Sequence, residues 1–161
     1  MTETEIVYRQ AVPEDFPQLA EMYERLNDFY YQVGYRLPRP DHVGQLWVES
    51  FQRTLGRFSN VYVAVVGERL IGMMLCRIKR LPQHMGGVLT SEFSDFWVEP
   101  EYRHGQVGDV LSQLTIEWLR QQGVHSIEMQ VLKDNERILR YFERMGFQLE
   151  FYTARKIFET E

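Results

Sequence analysis

Cysteine is almost absent from this chain. Cys76 is the only one among 161 residues, which excludes an internal disulfide and any metal site built from several thiolates. It stands in an apolar run with no activating neighbour in sequence, the setting of a buried spectator rather than a nucleophile. Long apolar stretches are missing too: nowhere do about 18 consecutive apolar residues occur, so no spanning helix is expected. The acidic opening MTETEIVYRQ lacks the basic start and apolar stretch of a secretory signal, and a cytoplasmic location is the expectation. There is no basic excess. Lys and Arg number 18 against 23 Asp and Glu, for a formal charge of -5, and no run of like charge builds a basic stripe. The expectation is therefore no nucleic acid and no membrane as partner. The four histidines, His42, His84, His104 and His125, have no Asp or Cys at ligand spacing, so no metal is expected.

Apolar and aromatic residues, at 44% and 14%, suffice for one well-buried core but not for two. Residues 1–161 read as a single domain without repeats or linkers. IVYR (6–9) reads as a short strand. In the helix that follows, Phe16, Leu19, Tyr23, Leu26 and Tyr30 share one face, with Pro13, Glu14 and Asp15 suited to its start. Val43, Leu46, Trp47, Ser50, Phe51 and Thr54 mark a second amphipathic helix. VYVAVVGERLIGMMLCRI reads as a hairpin turning at Gly67-Glu68, and VLTSEFSDFWVEP as a strand stopped by Pro100. Val107, Val110, Leu111, Leu114 and Trp118 recur at helical spacing up to Gly123. HSIEMQVL reads as a strand, NERILRYFERMGF as a helix capped by Asn135, and LEFYTARKIF as a last strand. The expected class is α/β with a mixed sheet, in the order β-α-α-β-β-β-α-β-α-β.

The chemistry gathers where the strand ending at Val98 meets the next helix, in WVEPEYRHGQVGDVLSQL. A helix start offers unpaired backbone N–H groups and a partial positive charge. Gly105 and Gly108 let an anion approach the backbone, and Arg103 adds a bidentate donor. This run resembles motif A of the GNAT superfamily, the acyl-coenzyme A-dependent N-acyltransferases. IVYRQAVPEDFPQL is similar to that family's opening strand and helix, and NERILRYFERMGF resembles its motif B, so the likeness runs over nearly the whole chain.

The resemblance implies an N-acetyltransferase that moves an acetyl group from acetyl-coenzyme A to a primary amine, on a small molecule or a protein, without an acyl-enzyme. It implies that Arg103, His104, Gly105, Gln106, Val107 and Gly108 cradle the pyrophosphate. Phe96, Trp97 and Val98 lie along the pantetheine arm, a backbone N–H near Val98 serves the oxyanion, and Asn135 completes the cofactor set. Two positions depart from the family pattern. Gln106 occupies the first motif glycine's place, and weaker cofactor binding follows if the backbone there needs positive φ. Phe142 stands where a tyrosine often protonates the departing thiolate, which leaves neighbouring Tyr141 as the candidate acid. The alternative is a non-catalytic member of the fold that binds a ligand or partner.

Glu92 is the expected base and Asp95 the second candidate. By the period of two, Glu92 and Ser94 share a face with Phe96 and Val98, and Asp95 points the other way unless a bulge intervenes. Phe29, Tyr30, Tyr31 and Tyr35, between the first two helices, either line an acceptor pocket or pack beneath a loop. The acceptor's identity and any homodimer are left open.

Overall fold

The computed structural model describes residues 5–159; Met1–Thr4, with the acidic Glu3, and the final Thr160 and Glu161 lie outside them. The chain forms two compact units, Met1–Gln130 and Val131–Glu161.

The first unit is built on five strands: β1 (Ile6–Gln10), β2 (Ser59–Val66), β3 (Arg69–Arg80), β4 (Leu89–Val98) and β5 (Ser126–Met129). They lie in the order β1-β2-β3-β4-β5. Neighbours from β1 to β4 are antiparallel, while β4 and β5 run parallel. Three helices accompany them: α1 (Phe16–Gln32), α2 (Val43–Phe51) and α3 (Val107–Gln121). Alternation along β2 and β3 sends Val61, Val63, Val65, Met73 and Leu75 into one core with Leu19, Met22 and Leu26 of α1 and Trp47, Val48 and Phe51 of α2. On the opposite face, bare Gly72 leaves the side chains of Val107 and Leu111 room to close on the sheet.

Two polar devices fix α1 and α2. Asp15, 5% exposed, accepts both Arg9 guanidinium nitrogens at 2.6 and 3.0 Å and the Val12 N–H at 2.9 Å. The Arg9 hydrogen bond holds the Asp15 carboxyl below the usual range, so the pair's stabilisation is present at neutral pH and lost as pH falls through that lowered value. Asp15→Asn should lower unfolding stability by about 1–3 kcal/mol near neutral pH, with the gap to wild type narrowing in acid during urea melts. At the second joint, Gly44 of α2 lies against the Ala20 backbone of α1. The Glu24 carboxylate there accepts the Gly44 N–H at 2.8 Å, serving one of the orphan donors of the α2 start. His42, just before α2, takes a left-handed φ of 55°.

In the second unit, α4 spans Glu136–Arg144. Asn135 holds the N-cap position, but its side chain makes no capping bond. The expected last strand does not form: residues 149–158 enter no ladder, and Phe151 and Tyr152 are 85% and 91% exposed. Aromatic and apolar residues describe a segment that could be a strand, whereas a strand exists only where a neighbour accepts its backbone bonds. The strand read up to Leu132 stops at Met129 for a related reason, since β4 pairs with it only from Thr90 to Phe93.

Candidate active site

The site forms around an irregularity in β4. Phe93 stands opposite Cys76 and Asp95 opposite Leu75, so Ser94 has no partner in the β3 register. One extra residue reverses the facing of everything before it. Glu92, opposite Arg77, thereby shares a face with Asp95 and Trp97, while Phe96 and Val98 face the other side, opposite Met74 and Gly72. Strict alternation had grouped Glu92 and Ser94 with Phe96 and Val98; the bulge corrects that grouping and brings the two candidate carboxylates together. Both line a cleft of about 400 Å³ with Tyr23, Trp47, Ser50, Arg77 and Ser94.

Asp95 is the more constrained carboxylate. Trp47 Nε1 donates to its Oδ2 at 2.8 Å, and the Tyr30 hydroxyl reaches its Oδ1 at 3.5 Å. Trp47 is itself clamped, stacked on Tyr23 at 4.6 Å and edge-on to Phe51 at 4.9 Å. Burial pushes the Asp95 carboxyl up to about 7, with Glu92 adding to the rise and Trp47, Arg77 and Tyr30 opposing it. The same neighbourhood drives the Tyr30 hydroxyl well above its ordinary value, chiefly through burial. Tyr30 and Trp47 are the contributions sequence reading missed. Periodicity marked Trp47 as a packing residue and left Tyr30 as either packing or pocket lining, and nothing in it signalled that their polar atoms converge on one carboxylate. The Ser94 hydroxyl, buried at the bulge, has no hydrogen-bond partner.

At the other end of β4, Pro100–Tyr102 forms a short turn before α3. Arg103 lies over the Trp97 ring at 4.6 Å and donates from Nε to the Val98 carbonyl at 2.8 Å. Gln106 takes the N-cap position with φ -96° and ψ 1°, and no side chain caps the helix. A glutamine adopts that φ without strain, so position 106 has no conformational need for glycine and the expected binding penalty loses its basis. Gly105 also has a negative-φ backbone, and an added Cβ would come no nearer than 3.8 Å to Tyr102. His104 and Gly105 are exposed, and Val107 is buried under the helix start. Beyond Phe93, no strand lies on the β5 side of β4 among the described residues, which leaves an edge that an extended ligand can join.

Asn135, Tyr141 and Phe142 belong to the second unit. There Phe142 is 2% exposed, edge-on to Tyr141 at 5.0 Å and to Phe147 at 5.4 Å. The phenylalanine in place of the family's tyrosine is thus a packing residue in this chain. Cys76 is buried, and burial lifts its thiol to about 12, which suits a spectator. Among the described residues no cluster of metal-ligating side chains occurs.

A family model described as Acetyltransferase (GNAT) family matches residues 19–147. The chain belongs to the GNAT acetyltransferase family. Among curated proteins, N-alpha-acetyltransferase 30 of Schizosaccharomyces pombe is 27% identical over 86 residues, which is 53% of this chain and 55% of that protein. The chain thus spans about half the length of this curated relative. Among solved structures, a tetramutant of the BH1408 protein from Bacillus halodurans matches 94% of the chain and 99% of its own, with 22% identity and a TM-score of 0.78. An aminoglycoside acetyltransferase from an uncultured soil metagenomic sample matches 97% of both chains, with 15% identity and a TM-score of 0.68. At those identities the structural likenesses bear on fold. No helix among the described residues is long and apolar enough to cross a membrane.

Proposed function

We propose that this GNAT acetyltransferase moves an acetyl group from acetyl-coenzyme A to a primary amine by direct attack, with Asp95 as the base and residues 1–161 acting as one domain. The observation that carries this reading is Asp95 held in the cleft by Trp47 and Tyr30, with the bulge at Ser94 bringing Glu92 onto the same face. A carboxyl near 7 is matched to accepting an ammonium proton at neutral pH.

The chemistry of the α3 start fits the pyrophosphate of this acyl-donor substrate. Its first-turn N–H groups lack a side-chain cap, and Arg103 stands beside them. The edge of β4 from Ser94 to Val98 can receive the donor's amide-bearing arm as an added strand. Asp95 takes the ammonium proton, freeing the lone pair that forms the C–N bond at the thioester carbonyl carbon. The C–S bond breaks with its electrons on sulfur, the newly bonded nitrogen gives up its second proton to solvent, and the thiolate, a tolerable leaving group, takes a proton from solvent. A β4 backbone N–H serves the developing oxyanion: Val98 is the sequence-based assignment, and Ser94 the residue outside the β3 ladder. Glu92 draws the cationic amine into the cleft.

The test is release of coenzyme A thiol from acetyl-coenzyme A across a panel of amines, with an Arg103→Ala, Gly108→Trp double variant as control. Amine-dependent release that the double variant loses supports the reading. Cofactor binding without turnover on any amine contradicts it and favours the non-catalytic alternative.

A further inference from the structure

Two clefts of similar size open on the first unit, and their charges are committed differently. In the one of about 390 Å³ beside α1 and the start of β3, Arg25 pairs with Glu99, and Arg69 pairs with Glu101 at 2.9 Å. Its cations are already neutralised. In the Asp95 cleft, Arg77 and Glu92 stand directly opposite each other on β3 and β4, yet among the described residues they form no ion pair. Arg77 is drawn toward α2, where it donates to the Ser50 carbonyl at 3.2 Å and the Ser50 hydroxyl at 2.8 Å. Lys79, two residues further along the same face, does close on its acid, Glu128, at 2.5 Å. Ser50 therefore keeps a cation and an anion apart inside one cleft.

We infer that the acceptor is a short amine carrying a carboxylate, an amino acid, whose ammonium faces Glu92 and Asp95 while its carboxylate meets Arg77. The inference rests on the acetyltransferase reading of the same cleft. A guanidinium has five N–H donors and always carries its charge, so the two bonds to Ser50 leave donors for an anion. Arg77 and Glu92 are cross-strand neighbours and Asp95 lies one step along the same face, so the three side chains branch from points roughly 5–8 Å apart. The ammonium and carboxylate of an amino acid, each with a hydrogen bond added, span that gap. A polyamine or aminoglycoside would bring a second ammonium against Arg77, a like-charge contact that selects against it.

The experiment measures kcat/KM for the full chain with an α-amino acid, its amide, the corresponding decarboxylated amine, the matching aminophosphonate, a tetrapeptide with a free N-terminus, spermidine and an aminoglycoside. Each is tested with wild type, R77Q and R77K. The expected result is an amino acid favoured over its amide and decarboxylated amine by about ten- to a hundredfold, a preference that R77Q erases and R77K partly keeps. Preference for the aminophosphonate overturns the choice of carboxylate. Equal use of the amide, preference for a polycation or peptide, or an R77Q effect equal on every acceptor overturns the inference. If no amine is acetylated, the acetyltransferase reading fails separately, and calorimetry with the amino acid decides recognition: binding that R77Q weakens supports it, and absence of binding overturns it.

Discussion

Asp95→Asn lowers kcat by about 100- to 10,000-fold, the range expected when a positioned general base is removed, and leaves the protein folded. Asparagine has the shape of the aspartate. Its carbonyl can keep the Trp47 Nε1 bond, and its amide can donate to the Tyr30 hydroxyl. What disappears is the capacity to take a proton. Stability moves the opposite way from activity. The Asp95 carboxyl titrates at about 7, against an ordinary value of 3.8, so between those values the folded chain holds a proton that the unfolded chain has released. Wild-type stability on this account falls as pH rises through that window. The variant, free of that penalty, is more stable than wild type above neutrality, and the difference vanishes in acid. Thermal melts at both ends of the window check the sign. A variant that is inactive and also less stable at alkaline pH would point to a structural role for Asp95.

Gly44→Ala lowers stability by about 2–3 kcal/mol and, for a chain this long, shifts Tm down by about 5–10 °C. Helix propensity argues the other way, since alanine in place of a helical glycine gains up to about 1 kcal/mol. Packing wins because an added Cβ would collide with the Ala20 carbonyl oxygen, and backbone cannot step aside as a flexible side chain does. The two helices must separate, which loosens the Glu24 bond to the α2 start and shifts Trp47 relative to Asp95. Catalysis therefore drops with stability. Gly105→Ala serves as the stability control, because its Cβ would meet only ordinary contact distances. Equal melts for the two variants would contradict the packing argument.

The parts of this molecule that were legible in the sequence are those governed by local periodicity. Leu19 and Leu26 repeat at helical spacing and do line the core face of α1, with Phe16, Tyr23 and Tyr30 packed against it; Val107, Leu111 and Trp118 repeat likewise in α3 and are buried. The motif at Arg103–Gly108 placed the loop correctly between β4 and α3. What was hidden depends on pairing between distant segments. Ser94 looks like any alternating residue, and only the register against Leu75 and Cys76 makes it a bulge. That one residue decides whether Glu92 and Asp95 share a cleft. The convergence of Tyr30 and Trp47 on Asp95 spans 65 and 48 positions in sequence, beyond the reach of any spacing rule. For residues 149–158 the error ran the other way: the segment reads as a strand by its composition, but a strand also needs a partner that a local pattern cannot supply. At Gln106 the family pattern suggested a backbone demand that a φ of -96° does not make.

The central claim is that a carboxylate titrating near neutrality deprotonates an amine acceptor in this cleft. Its most direct test is the pH dependence of kcat/KM for acetyl transfer, measured from about pH 5.5 to 9 with wild type and Asp95→Asn on the best acceptor found. The account predicts a wild-type rate that rises with pH and levels off above a midpoint near 7, and a residual rate in the variant from which that limb is gone. An unchanged limb in Asp95→Asn, at undiminished rate, would contradict it and move the base to another group, Glu92 first.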